Sequence, residues 1–266
     1  MQNLDVKGAS VYRWLAVAQV LFFAFMLAVN GMANGLPLNG YTTGAVSALY
    51  PNRFVPAGFT FSIWGVIYLL LLGYTAFSSW WLWGADLTSI AVSRARSLAP
   101  LYLLTCLLNA GWIVAWHFLQ PVLSLLLMLT FLLTLLLIYR VNGEALPGIA
   151  APARWWLRIP FVVYLGWISV ATIANTTAVL VHLEWNGWGL SPETWSCTMV
   201  AVAALLGGWM GWRGEVAFSG VVIWALFGIA RGQADAAPVV TAAWTGMAGC
   251  FLLAAAGWWR SRNKQT

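Results

Sequence analysis

The chain sorts into eight apolar runs, at residues 14–34, 57–80, 98–118, 122–139, 159–182, 195–212, 216–230 and 238–259, separated by polar connections. A helix needs about 20 apolar residues to cross a bilayer. The pattern therefore predicts eight membrane-spanning helices, of which the seventh is the shortest. Only Gln120 and Pro121 join the third and fourth runs, so those helices are expected to be antiparallel neighbours. The first and second runs are joined by LPLNGYTTGAVSALYPNRFVPAG, a stretch that mixes Gly, Pro, Asn and Thr with Tyr41, Tyr50 and Phe54. Such a stretch is irregular without being a flexible linker. Its aromatics suit either the headgroup level of a bilayer or a lid over a cavity.

Composition fixes the class. At 62% hydrophobic and 8% charged residues, with a mean hydropathy of +0.81, the chain reads as an all-α polytopic membrane protein with about eight transmembrane helices. The opening MQNLDVKGASVYR is too polar for a cleaved signal peptide, so the first helix is expected to stay in the mature protein. All of the 13 basic residues except Arg53 and Arg231 fall on one side of the eight-span arrangement. The positive-inside rule then puts both termini in the cytoplasm and the Arg53 loop outside. Long helices favour a bacterial inner membrane over a barrel-rich outer one. The net charge of +6 has this topological explanation, and no nucleic-acid partner is inferred. Cys106, Cys197 and Cys250 lie in apolar runs, with neither a disulfide framework nor metal-ligand spacing.

Three runs carry aromatic and polar residues at helical spacing. Tyr164, Trp167, Ala171 and Asn175 share one face of the fifth; Phe61, Trp64 and Tyr68 share one of the second; Asn109, Trp112 and Trp116 share one of the third. At 1.5 Å per residue, Trp64, Asn109, Trp112 and Asn175 all lie roughly 9 to 13 Å below the predicted external surface. They can meet at one level. Trp80, Trp81, Trp83, Trp155, Trp156, Trp258 and Trp259 fit interfacial belts, but Trp64, Trp112 and Trp167 are too deep for that. Helix packing alone would explain any single one of these positions, since small and polar residues are common where membrane helices meet. The Gly31–Gly35, Gly207–Gly211 and Gly246–Gly249 spacings permit close helix contacts, including those of a homodimer.

Three segments resemble the TspO/MBR family, the tryptophan-rich sensory proteins related to the mitochondrial translocator protein. They are YLGWISVATIAN from Tyr164 to Asn175, Asn109-Ala-Gly-Trp112, and Pro56 through Tyr68. In the last, Ala57 stands where the family carries a second Pro, and the Phe61–Trp64 interval is one residue shorter. The resemblance covers about residues 14 to 185. It implies a five-helix unit, residues 1–189, with a pocket for porphyrins and other flat hydrophobic molecules under the loop joining helices 1 and 2. Trp64, Tyr68, Asn109, Trp112, Trp167 and Ala171 would line that pocket. Residues 190–266 would add three helices and a basic tail.

The resulting expectation is a receptor or carrier for a flat hydrophobic ligand, tetrapyrrole- or sterol-like, with the bilayer and that small molecule as partners. The alternatives are a membrane enzyme acting on a porphyrin or lipid, or a small-molecule transporter. A retinal protein would need a lysine inside a helix, yet Lys7 and Lys264 lie in the tails. Ion-coupled transport usually leaves acids within spans, but Asp86, Glu144, Glu184, Glu193, Glu215 and Asp235 read as loop or helix-end positions. No nucleophile–base pair or metal motif points to catalysis. His117 and His182, at the predicted external ends of the third and fifth runs, either ligate a haem iron together or sit as hydrated helix-end residues.

Overall fold

The computed structural model describes residues 2–84, 89–143 and 149–263, with residues 2–11 as backbone only. Asp86, Glu144 and Lys264, placed above in connections and tail, lie outside the described residues, as does the Lys7 side chain. The helices are α1 (Gln2–Gly35), α2 (Thr43–Ala48), α3 (Ile63–Gly84), α4 (Ile90–His117), α5 (Pro121–Gly143), α6 (Ala151–His182), α7 (Pro192–Trp212), α8 (Val216–Gly232) and α9 (Ala237–Asn263). Seven are long and apolar enough to cross a membrane, and the shorter apolar α8 makes the eighth of the expected set. With α2 short and lying in a connection, the all-α polytopic class holds.

Two helices begin well before their apolar runs. α4 starts at Ile90 and α6 at Ala151, because their first turns carry Arg94, Arg96, Arg154 and Arg158, charges that hydropathy excludes but a helix end projecting from the membrane tolerates. Pro160 consequently lies inside α6. Local chemistry sets the ends. Ser89 and Ser191 cap α4 and α7 by accepting from Val92 N and Thr194 N. Leu119, at φ 55, ends α4 in the left-handed region, and Gln120 N reaches back to the Ala115 carbonyl at 3.0 Å. Pro121 then opens α5 against α4, as the two-residue connection requires.

α6 is the most buried of the described spans and packs on α3, α5 and α8. α7, α8 and α9 form a second group, whose closeness depends on glycine: a Cβ on Gly211 would stand 2.9 Å from Ala254 Cα, and Gly257 lies against the Gly211 carbonyl. Gly207 and Gly246 are likewise taken up inside the chain, whereas Gly31, Gly35 and Gly249 face open space. The tryptophans divide as their depth requires. Trp80, Trp83, Trp155, Trp258 and Trp259 are exposed and Trp81 and Trp156 half-buried, while Trp64, Trp112, Trp116 and Trp167 are buried.

At the basic end, Arg158 pairs with Glu215, the residue that precedes α8, and stacks over Tyr139, whose hydroxyl donates to the same carboxylate at 3.0 Å. Arg94 donates to the Val141 carbonyl at 2.5 Å, and Arg260 lies 3.9 Å from the Trp212 ring. Arg53 sits at the opposite end.

Candidate functional site

Residues 36–62 form a folded lid across that opposite end. It comprises a 3-10 turn (Leu38–Gly40), α2, an extended stretch and a second 3-10 turn (Gly58–Ser62) that runs into α3. His117, at the end of α4, is buried and clasps the near half. Its Nδ1 lies 3.2 Å from the Leu38 carbonyl and its Nε2 3.2 Å from Thr43 Oγ1, while Asn39 donates to its backbone carbonyl. Both ring nitrogens are thus engaged in structure. His182 is exposed and meets Tyr50 edge-on at 6.3 Å.

The far half of the lid is held by α8 and the turn after it. Ala57 N donates to the Gly228 carbonyl at 2.9 Å, Trp224 Nε1 to the Thr60 carbonyl at 2.9 Å, and Gln233 Nε2 to the Val55 carbonyl at 2.9 Å. Arg53 reaches Asp235 at 2.6 Å and Glu193 at 3.4 Å. The hydrogen bond from Arg53 holds the Asp235 carboxyl below its ordinary range. Backbone can approach this closely because Gly232 has no side chain: a Cβ there would stand 2.7 Å from Ala57 N.

Under the lid is a narrow, partly open chamber of about 50 Å³. Phe61 and Trp64 wall it on the α3 side, Trp112 and Trp116 from α4, Trp167, Ala171 and Asn175 from α6, and Ala225 and Ile229 from α8; Thr43, Ser47, Phe54 and Pro56 roof it. The rings interlock. Trp64 and Trp112 centroids are 5.6 Å apart, Trp64 meets Trp167 edge-on at 6.0 Å, and Trp112 stacks on Trp116 at 6.3 Å. The chamber's amide is Asn175, whose Oδ1 accepts from Trp112 Nε1 at 3.2 Å and Ser124 Oγ at 2.7 Å. Trp116 Nε1 donates to the Thr43 carbonyl, tying α4 to the lid. Trp64 and Trp167 are only 8% and 4% exposed, and their indole N–H groups have no partner among the described residues.

Seven of the ten residues selected from sequence therefore line one chamber. Tyr68, Asn109 and Tyr164 do not. They pair instead through a residue the spacing argument did not select: the Tyr68 hydroxyl donates to Asn30 Oδ1 at 2.6 Å, Asn30 Nδ2 to Asn109 Oδ1 at 2.6 Å, and Asn109 Nδ2 to the Tyr164 hydroxyl at 2.7 Å. This chain joins α3, α1, α4 and α6, and it leaves Asn109 fully buried and satisfied. Asn30 was detectable as an amide inside the first apolar run. Ala225 and Ile229 carry no chemical signal that sequence alone could single out.

A family model described as TSPO-like protein matches residues 16–256, an extent that runs from α1 into α9 and takes in α7 and α8. Comparisons with curated proteins and with solved structures give no match.

Proposed function

The chain belongs to the TSPO-like protein family, and from that premise we propose that it is a receptor or carrier that binds a flat hydrophobic molecule, tetrapyrrole- or sterol-like, in the aromatic chamber. The observation that carries this reading is the pair of unpartnered indole N–H groups, Trp64 and Trp167, in the wall of one narrow aromatic space. Leaving a buried donor unpaired costs about 1 to 3 kcal/mol. A ligand with a carbonyl, carboxylate or ether acceptor would recover that cost while its apolar body stacks among the rings. Mostly apolar walls with a few placed polar groups are what small-molecule sites present.

At about 50 Å³ the chamber has room for one or two water molecules. Ligand sites span roughly 300 to 1,000 Å³, so binding opens the chamber. The wall that moves is the lid, which is built of short turns held at its edges, whereas the indoles stand on long packed helices. The protein acts in a bacterial inner membrane with both termini cytoplasmic and the lid outside, an orientation supported by the gathering of basic residues at the end away from the lid.

The test is equilibrium titration of purified protein with protoporphyrin, read from the porphyrin absorbance. Trp64→Phe and Trp167→Phe each remove one indole and its N–H, and stacking of about 0.5 to 1.5 kcal/mol per pair predicts a two- to tenfold loss of affinity. Trp258→Phe, in the belt, leaves affinity unchanged. Equal affinity in all three variants, with helicity intact by circular dichroism, overturns the reading.

A further inference from the structure

A second cavity lies beside the chamber, in the cleft between the lid-side end of α6 and the start of α7. It measures about 390 Å³, within the range of small-molecule sites and far larger than the chamber itself. Its walls are mostly apolar, with Leu180 on α6 facing Trp195 and Met199 on α7. Met199 lies about 10 Å along the helix from Pro192, so the cleft reaches from the membrane boundary into the depth of the acyl chains. The two helices make few contacts with each other, because α7 packs mainly on α9 and α8. The cleft is open along its side, where the lining residue Thr176, about 9 Å along α6 from His182, is exposed.

Two observations connect this cleft to the chamber. On α6 the linings adjoin in sequence: Asn175 belongs to the chamber and Thr176 to the cleft. Phe54 is the single residue common to both linings, and at 1% exposure it is the partition between them. An Asx turn, in which Asn52 Oδ1 accepts from Phe54 N at 2.8 Å, fixes its backbone, so a rotation of the ring would join the two spaces without unfolding the lid. The mouth of the cleft also carries charge information: Arg53 lines it, and Glu193 and Asp235 both pair with that arginine, so this three-residue cluster sums to −1.

We infer that the α6–α7 cleft is a second ligand site, an antechamber that takes an uncharged amphiphile from the side, out of the bilayer, and passes its flat apolar body past Phe54 into the chamber. The inference rests on the chamber reading for the destination and goes beyond it in naming the route and the charge class. An anionic head is disfavoured at the mouth, since Arg53, the one cation in the cleft's lining, is already matched by two carboxylates.

The experiment uses full-length protein in phosphatidylcholine nanodiscs, with protoporphyrin dimethyl ester as the uncharged probe and the free diacid as its anionic counterpart, both followed by stopped-flow absorbance. Leu180→Trp and Met199→Trp fill the cleft at half-buried positions without touching the chamber. Each is expected to slow association of the ester by about tenfold, the factor that about 1.4 kcal/mol of added barrier gives, and to leave equilibrium affinity within about threefold. Phe54→Leu, a smaller partition, is expected to speed association and dissociation together. The diacid is expected to associate more slowly than the ester in the wild type. Wild-type association rates in both filling variants overturn the antechamber and leave the chamber reading standing. Binding abolished by both filling variants yet indifferent to Trp64→Phe and Trp167→Phe makes the cleft the sole site and overturns both readings.

Discussion

Asn109 Nδ2 donates to the Tyr164 hydroxyl at 2.7 Å, and this bond fastens α4 to α6 beside the chamber rather than within its lining. With Asn30 taking the other end of the amide, both ends of Asn109 are engaged in contacts between helices. Asn109→Ala would take its partner from the Tyr164 hydroxyl and one bond from the Asn30 amide, which keeps the Met26 carbonyl and the Tyr68 hydroxyl. Buried polar contacts between membrane helices contribute about 0.6 kcal/mol on average and up to about 1.7, so two broken bonds predict a loss of about 1 to 3 kcal/mol. Thermal unfolding in detergent should show that loss, while the porphyrin affinity of the surviving fold changes by less than about twofold. A tenfold loss of affinity with unchanged stability would move Asn109 into the binding surface.

The lid rests on Gly232 as closely as backbone can approach. Gly232→Ala would force the Ala57 amide away from α8, since real Cβ atoms do not sit 2.7 Å from a backbone nitrogen. We expect faster hydrogen exchange confined to residues 52–60, with exchange in α3 to α6 unchanged. Gly31→Ala, where a Cβ meets nothing within 4 Å, is the matched control.

Glu215 and Arg158 form a half-buried pair at the basic end, with Tyr139 donating to the same carboxylate. Removing one partner of a buried pair leaves a charge without compensation, so Glu215→Ala should cost about 3 kcal/mol. The double variant Glu215→Leu, Arg158→Met should recover most of it. Equal destabilisation by the single and double variants would mean that packing, not charge, holds this corner.

Acid should loosen the lid from one side. Asp235 is depressed in the folded protein, so the stability it contributes is present above the ordinary carboxylate pKa and is lost as pH falls through the lowered folded value, below about pH 4. Arg53, raised by the same contact, stays charged throughout. Hydrogen exchange of residues 52–57, taken relative to that of the α3–α6 amides, should therefore rise below about pH 4 in the wild type; in Asp235→Asn it should be raised already at neutral pH, with only the Arg53–Glu193 pair left to titrate.

What the sequence disclosed follows the range over which each interaction acts. Apolar runs located all eight spans, and three- and four-residue spacing brought Trp64, Trp112 and Trp167 to one place. The starts of α4 and α6 were hidden because Arg94, Arg96, Arg154 and Arg158 look like loop charges to any measure of hydropathy. Asn109 and Asn175 carry the same signature, an amide on an aromatic face. Periodicity names the face but not the partner, and only the fold pairs Asn109 with Asn30 and sets Asn175 against Trp112. The contribution of α8 was the least legible. Its residues at the chamber are an alanine and an isoleucine, and its hold on the lid depends on glycines and on backbone carbonyls that no side chain announces.

The bonds that fasten the lid have a consequence for the order in which the protein is made. Trp224 and Thr60 are 164 positions apart, and Asp235 and Arg53 are 182 apart. Synthesis runs from the N-terminus, and a nascent chain folds in that direction. All the indoles of the chamber are therefore in the membrane long before α8 arrives to secure the roof above them. A chain that ends at His182 would hold the aromatic walls with half of the lid unanchored. Closure of the chamber thus reports that the last helices have inserted.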